Sequence, residues 1–456
     1  MGRFLYPRKE CEKALSIFKK FHNHEDFMRF LILFSPIFLF LGLFVGSGLL
    51  FTWQGVDQAF YQIAPTVAIL PAILLAFFLL KGPMQERLHS FLDGLRHRDI
   101  VTMCLIFLLA GAFNVVTKSI GCVDATVNLV LSLIPTHFVL IGLFLTAAFI
   151  STAIGTSMGT IATMGPIAVG IANLGVLPID LGIATVVGGA MFGDSLSPVG
   201  DTTIAAVLSQ GADFRKKLIL NSIVACIAAV IMLIILWIIH TPAADAIVKD
   251  YDLVLVIPYV VLVLLAFAGM NVFQVLISGL IVAGLIGFFH HSYSVIGFAK
   301  DIAKGFESMQ DIFLLSLFVG GLAGMLKEMG TMRYVADFIG KVHHLSKRSA
   351  QLVIGGLVSI FDVLIANNCV AIIFSGEIAK TIAHRYKIPN HYTAAWLDIF
   401  SCVFQGIIPY GAQILLASTL SGVSPLIIAG QVYYCYILGV VVIAYITFVP
   451  VKKDVV

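Results

Sequence analysis

Long apolar runs alternate with short polar stretches along most of the chain, and their lengths read as helices rather than strands. The runs at 30–50, 63–80, 100–116, 137–150, 218–239, 253–268 and 275–289 approach the ~20 residues that cross a hydrocarbon core. With the second half included, roughly ten to twelve such segments can be placed. Two basic, amphipathic stretches, 81–99 and 289–308, predict helices lying in the membrane interface. The predicted fold class is all-α: a polytopic membrane protein with interrupted helices and re-entrant hairpins.

One stretch breaks the apolar pattern. Residues 188–208, GGAMFGDSLSPVGDTTIAAVL, carry Asp194, Ser195, Ser197, Pro198, Gly200, Asp201, Thr202 and Thr203 almost back to back between apolar flanks. Pro198 removes a backbone donor and clashes one turn back, so a helix is interrupted there. Broken backbone at membrane depth is tolerated where it is buried in protein or lines a wet cavity, and acids at that depth mark transport paths. The stretch therefore reads as half of a transport site for a small cation. A second unusual stretch, 151–174 (STAIGTSMGTIATMGPIAVGIANL), is rich in Gly, Ser and Thr. It suits either a small-residue packing face or a re-entrant hairpin with a break at Gly165-Pro166, exposing Thr156 and Ser157.

The chain repeats this plan. A constant offset of 211 residues carries Gly165 to Gly376, Pro198 to Pro409 and Gly200 to Gly411. This divides the chain into a basic N-terminal segment (1–29), two leading transmembrane helices (30–86), a first repeat (87–240), connecting helices (241–296) and a second repeat (297–456). Paired interrupted segments in corresponding places point to a site at the repeat interface. Basic loops at 81–98, 215–217, 341–348 and 452–453 fall on one side if the N-terminus is cytoplasmic, which makes the repeats inverted. The loop with Lys380, Arg385 and Lys387 dissents.

Composition agrees with a bilayer address. Hydrophobic residues make up 59% and charged residues 12%, against about 25% charged in soluble domains, and the mean hydropathy is +1.01. A net charge of +3 without a basic-aromatic patch gives no sign of nucleic-acid binding. The N-terminus lacks a signal-peptide core and the myristoylation pattern, and the expected location is a cell inner membrane. The seven cysteines are scattered without CxxC, reading as mostly buried thiols. The pairs His290-His291 and His343-His344 read as surface residues rather than metal ligands. No nucleotide-binding loop, zinc signature or GxSxG elbow is present, so an enzyme is not expected and any transport is driven by ion gradients, without a cofactor.

The chemistry rests on the acids. Asp194 and Asp201 lie seven residues apart, near two helical turns, and share a face if the break is compact. A buried carboxylate can hold a proton or a cation but not both, and that competition alone couples two opposite movements. Thr202, Thr203, Ser197 and freed carbonyls are hard oxygen ligands suited to sodium, joined by Thr156 and Ser157, with Asp194 and Asp201 as its charged ligands. Helix capping by the two acids is the competing explanation. In the second repeat Gln405 stands opposite Asp194, and Asn367 and Asn368 opposite Thr156 and Ser157, so that half offers neutral amides. Asp398, in AAWLDIF, is the most deeply embedded further acid, while Asp362 and Glu377 suit an interface, paired with Lys380 or water.

GGAMFGDSLSPVGDTT resembles the G-A-x-F-G-D-K-M-S-P-L-S-D-T-T pattern of the NhaC-type sodium/proton antiporter family, matching at Gly189, Ala190, Phe192, Gly193, Asp194, Ser197, Pro198, Asp201, Thr202 and Thr203. GTSMGTIATMG, ANNCVAIIFSGEIA and LDIFSCVFQGIIPYG are similar too, so the likeness covers most of the chain from about residue 60. The resemblance implies exchange of Na+ (or Li+) for H+, with Asp194 and Asp201 as ligands. Ser195, Glu377 and Ile399 stand where the family usually has Lys, Arg and a second acid. Those departures keep a sodium- or proton-coupled carrier of a small organic acid or amino acid as the alternative, and the assembly state, a homodimer among the options, stays open.

Overall fold

The computed structural model describes residues 24–54, 62–133, 135–197, 200–239, 250–268, 270, 272–290, 293–331, 333–334 and 345–451. Among these every regular element is helical. The chain divides into two compact units, residues 1–95 with 321–345, and residues 96–320 with 346–456.

The first unit holds α1 (His24–Trp53), α2 (Pro65–Leu79) and α3 (Met84–Leu95). Pro65 starts α2, where its missing donor costs nothing. The Arg87 guanidinium donates to the carbonyls of Gly82 and Phe77, which fastens the start of α3 to the end of α2. No residue of α3 is buried.

The second unit begins with α4 (Arg98–Ser119), α5 (Cys122–Leu133), α6 (Val139–Ile154), α7 (Ser157–Asn173), α8 (Ile179–Leu196), α9 (Asp201–Gln210) and α10 (Phe214–Ile238). It continues through α11 (Ile257–Phe267), α12 (Val272–His290), α13 (Val295–Ser308) and α14 (Gln310–Glu328), whose end lies in the first unit. Then follow α15 (Lys347–Ile365), α16 (Asn368–Tyr386), α17 (Asn390–Gln405), α18 (Ala412–Ser421), α19 (Pro425–Gln431) and α20 (Tyr433–Phe448).

Among the described residues eight helices are long and apolar enough to cross a membrane, or nine if α18 and α19, bent by 112°, form one broken span. Four shorter apolar helices lie among the rest. The count from apolar runs exceeds the count of long helices because several of those runs form short ones. On α10, Ile219, Ile223, Ile227, Val230 and Ile234 are all exposed, at helical spacing. An apolar stripe of that extent suits lipid.

The helix bounds recur at the offset seen in the sequence. Ile154 and Ile365 end their helices, Ser157 and Asn368 begin the next, Asp201 and Ala412 begin short helices, and Gly211 and Gly422 close them in the left-handed conformation. The α13 segment also departs from a purely interfacial helix. Gly305 approaches the backbone of α4 so closely that a Cβ would meet Ala112 at 2.5 Å, and Asp301 is buried there, accepting from the Tyr293 hydroxyl at 2.6 Å.

Candidate ion-binding site

The site is positioned by two chain breaks. Gly155, at φ 81°, closes α6 by donating its amide to the Ser151 carbonyl, and extended Thr156 then leads into α7. The break expected at Gly165-Pro166 is therefore ten residues too late. Pro166 sits inside α7, whose middle is buried on all sides, with Thr160 and Thr163 hydroxyls bonding back to main-chain carbonyls. Surrounding helices let such a helix continue despite one missing donor. The second break behaves as expected: α8 stops at Leu196 and α9 starts at Asp201, although Pro198 itself lies outside the described residues.

Small residues bring these elements together. A Cβ on Gly193 would collide with the Ala148 carbonyl, and one on Gly189 would lie 2.9 Å from the Ala147 Cβ. The Ser151 hydroxyl donates to the Ala190 carbonyl at 2.6 Å, pinning α6 to α8. This contact carries Asp194, on the last turn of α8, to the start of α7. There Ser157 Oγ donates to Asp194 Oδ2 at 2.9 Å, with both residues buried.

The network then crosses into the second half of the sequence. Gln413 Nε2 donates to Ser157 Oγ at 3.1 Å, and Gln405 Nε2 donates to Gln413 Oε1 at 2.7 Å and to the Ala366 carbonyl at 3.2 Å. Asp194 and its counterpart Gln405 thus join through a serine and a second amide.

A second buried acid lies beside this chain. Asp398 on α17 accepts from Lys217 Nζ at 2.5 Å and from Asn221 Nδ2 at 2.8 Å. Lys217 also donates to Thr203 Oγ1 at 2.8 Å, and Asn221 to the Ser195 carbonyl at 3.0 Å. Both charged side chains are 0% exposed. Asp398, Asp201 and Lys217 all act electrostatically on Asp194.

The expected site residues distribute unevenly. Asp194, Ser157, Gln405 and Asp398 enter the buried network. Ser197 is buried at the end of α8, and Thr202 is buried with its hydroxyl unpartnered. Thr156 is half-buried. Asn367 caps α16 by accepting from the Val370 amide, and the Asn368 amide nitrogen is buried without a partner. Asp201 differs from the expectation of a buried carboxylate pair: it is exposed on the first turn of α9, whose buried face is taken by Thr202 and Thr203.

Three residues escaped the sequence reading. Lys217 reads as part of a basic loop in DFRKK, yet Asp213 caps α10 and makes Lys217 part of its first turn. The clue was Asn221 four residues on, one helical turn along the same face. Gln413 sits beside Ala412 in an apolar run. Asp362, expected near an interface with Lys380 or water, is 0% exposed and has no hydrogen-bond partner on either carboxylate oxygen. His291, His343 and His344, the residues before 24 and the loop around Ala243 lie outside the described residues. So do Pro198 and the basic positions 341 and 452–453.

An apolar helical body with a buried acid–amide network at helix breaks defines a multi-pass membrane protein of the transporter class. The Na+/H+ antiporter family model matches residues 20–241. The chain is 24% identical over 389 residues to the Na(+)/H(+) antiporter NhaC of Bacillus subtilis, covering 76% of this chain and 84% of that protein. It is 22% identical over 355 residues to the malate-2H(+)/Na(+)-lactate antiporter of the same organism, covering 70% and 75%. An uncharacterized Na(+)/H(+) antiporter of Haemophilus influenzae is 29% identical over 193 residues, which is 41% of this chain and 38% of that one. Among solved structures, the Alcanivorax borkumensis YdaH transporter matches with a TM-score of 0.43 and 13% identity over 89% of this chain and 100% of that chain. The chain is thus similar to NhaC-type Na+/H+ antiporters, the proteins that the residues around Asp194 resemble.

Proposed function

We propose that this protein is a secondary transporter exchanging Na+ (or Li+) for H+ across a cell inner membrane, with Asp194 as the acid at which the two compete. The observation that carries the reading is the charge count around Asp194. Lys217 neutralises Asp398 internally, at 2.5 Å, so Asp194 is left as the buried acid of this network without a cationic side chain bonded to it. One proton or one monovalent cation balances it, and both together would leave an uncompensated positive charge in a low-dielectric site.

Ser157 supports either occupant. Its hydroxyl donates to the Asp194 carboxylate in the present arrangement and can turn its oxygen toward a cation. The oxygens of Thr202, Ser197 and Thr156 complete the sodium ligands, with Asp201 guiding cations from its exposed position. Gln405, Asn367 and Asn368 supply the neutral ligands of the opposite repeat. Binding at the junction of two breaks couples occupancy to the relative movement of the two repeats. The basic loops at 81–98 and 215–217 favour a cytoplasmic N-terminus in this reading.

The test uses the full chain in vesicles loaded with a pH-sensitive dye under an imposed proton gradient. Addition of Na+ or Li+ should collapse the gradient, and Asp194→Asn should abolish that response while still inserting. The malate-2H(+)/Na(+)-lactate relative motivates one other reading, a carrier of small organic acids. Silence with Na+, Li+ and K+ together with Na+-dependent uptake of a dicarboxylate would favour it.

A further inference from the structure

A cavity of about 280 Å³ lies where α5, α6, α7 and α11 meet, and it shares no residue with the ion-binding network. Leu129 and Val130 of α5, Leu143 of α6, Met164 and Ile167 of α7 and Val263 of α11 face it. Two hydroxyl residues in its wall are engaged elsewhere. Thr126 Oγ1 donates to the Cys122 carbonyl at 2.8 Å, and the Tyr259 hydroxyl pairs with Thr117 Oγ1 at 3.4 Å. Such a wall attracts by dispersion and gives a polar ligand little to bond. An apolar cavity of about 150 Å³ already holds one benzene, so this one has room for a longer hydrocarbon.

The mouth indicates which hydrocarbon. Val260 and Leu264 also line the cavity, yet they are 46% and 60% exposed, and with exposed Ile257 they form one stripe along α11 at helical spacing. That helix and its leading turn make one of the shorter apolar helices of a membrane-spanning chain, so the stripe, like that of α10, suits lipid. The cavity is therefore continuous with the lipid-facing surface. An acyl chain entering from there leaves one apolar medium for another and gains close packing, the term that drives association inside a bilayer.

A polar anchor stands at one end of the same elements. Ser132 lies on the last turn of α5, one turn beyond Leu129, and Tyr251 just precedes the turn Leu253–Val256 that leads into α11. Their hydroxyls pair at 3.1 Å on the exposed surface. Tyrosine so placed suits the headgroup level of a bilayer.

We propose that this cavity binds one acyl chain of a membrane phospholipid, which enters past Val260 and Leu264 with its headgroup toward Ser132 and Tyr251. The seated chain touches α6 and α7, the helices on either side of the break at Gly155, without touching the ion ligands. The site stands whether or not sodium is the transported ion.

The test places the full chain in vesicles containing a phosphatidylcholine with a photoreactive diazirine near the end of one acyl chain, and maps the label by mass spectrometry. Met164 and Ile167 are only 4% and 6% exposed, so lipid that merely coats the protein does not reach them. Label on these two residues is expected, beside label on exposed positions such as Ile227 of α10. Gly142→Phe and Val263→Trp fill the cavity. Each should lower label at Met164 about tenfold and leave label at Ile227 unchanged. Label confined to exposed positions of the wild-type chain would overturn the proposal, and that map needs no variant to fold. Undiminished label at Met164 in a filled variant that still inserts would overturn it too. So would label at Met164 from a diazirine-bearing free fatty acid but not from the phospholipid.

Discussion

Lys217 and Asp398, 181 residues apart in the chain, form an ion pair in which both side chains are wholly buried. The pair joins α10 of the first repeat to α17 of the second, and its Asn221 partner reaches back to the Ser195 carbonyl beside Asp194. The cation built into the protein thus sits next to the acid assigned to the transported one.

Removing one member of this pair strands the other. Lys217→Met and Asp398→Asn should each lower stability by about 3–5 kcal/mol, and the double variant should recover part of that loss. Thermal unfolding of the three variants in detergent checks this. A double-variant loss equal to the sum of the two single losses would mean that the pair is energetically idle.

Gln413 bridges the two halves through Ser157 and Gln405. Gln413→Leu leaves a buried hydroxyl and a buried amide short of a partner, which should cost about 1–3 kcal/mol. Sodium affinity should fall about tenfold, the equivalent of roughly 1.4 kcal/mol. Sodium titration of the proton response gives the affinity. An unchanged midpoint would remove Gln413 from the site.

Gly193 lets α8 meet α6 at backbone contact. Gly193→Ala should cost about 1–3 kcal/mol by overpacking and displace the neighbouring Asp194 from Ser157. The expected signature is loss of sodium affinity in protein that still inserts. Gly356, where a Cβ would meet nothing within 4 Å, is the control, and Gly356→Ala should be silent.

Outside the spans, Asp213 caps α10 and accepts from the Lys216 amide at 2.9 Å, which holds its carboxyl below the usual range. A lowered folded value means the cap helps at neutral pH and is lost as pH falls through that value, below about 4. Asp213→Asn keeps a capping oxygen without titrating, so its stability should vary less between pH 5 and pH 3 than that of the wild type. A parallel acid loss in both would place the effect elsewhere.

Much of this arrangement was legible in the sequence because it rests on periodic or local signals. Apolar runs gave the helical membrane body, and the offset of 211 between Gly200 and Gly411 anticipated matching helix starts at Asp201 and Ala412. The GDSLSP-DTT stretch placed a break and a buried acid correctly at Asp194. Long-range partners were not legible. Nothing near DFRKK signals that Lys217 meets Asp398, because pairing across 181 residues depends on packing. Pro166 misled because α7 continues through it in a buried setting, while the quieter Gly155 supplied the left-handed turn. Asp362 appeared peripheral because Lys380 and Glu377 lie close in sequence, yet burial of a helix face is set by its neighbours.

The most direct measurement is sodium-driven proton movement in vesicles containing wild-type protein or Asp194→Asn. The account predicts prompt collapse of an imposed proton gradient when Na+ is added to wild type, and no response from correctly inserted Asp194→Asn. A wild-type response from that variant would contradict the central claim that proton and sodium compete at Asp194.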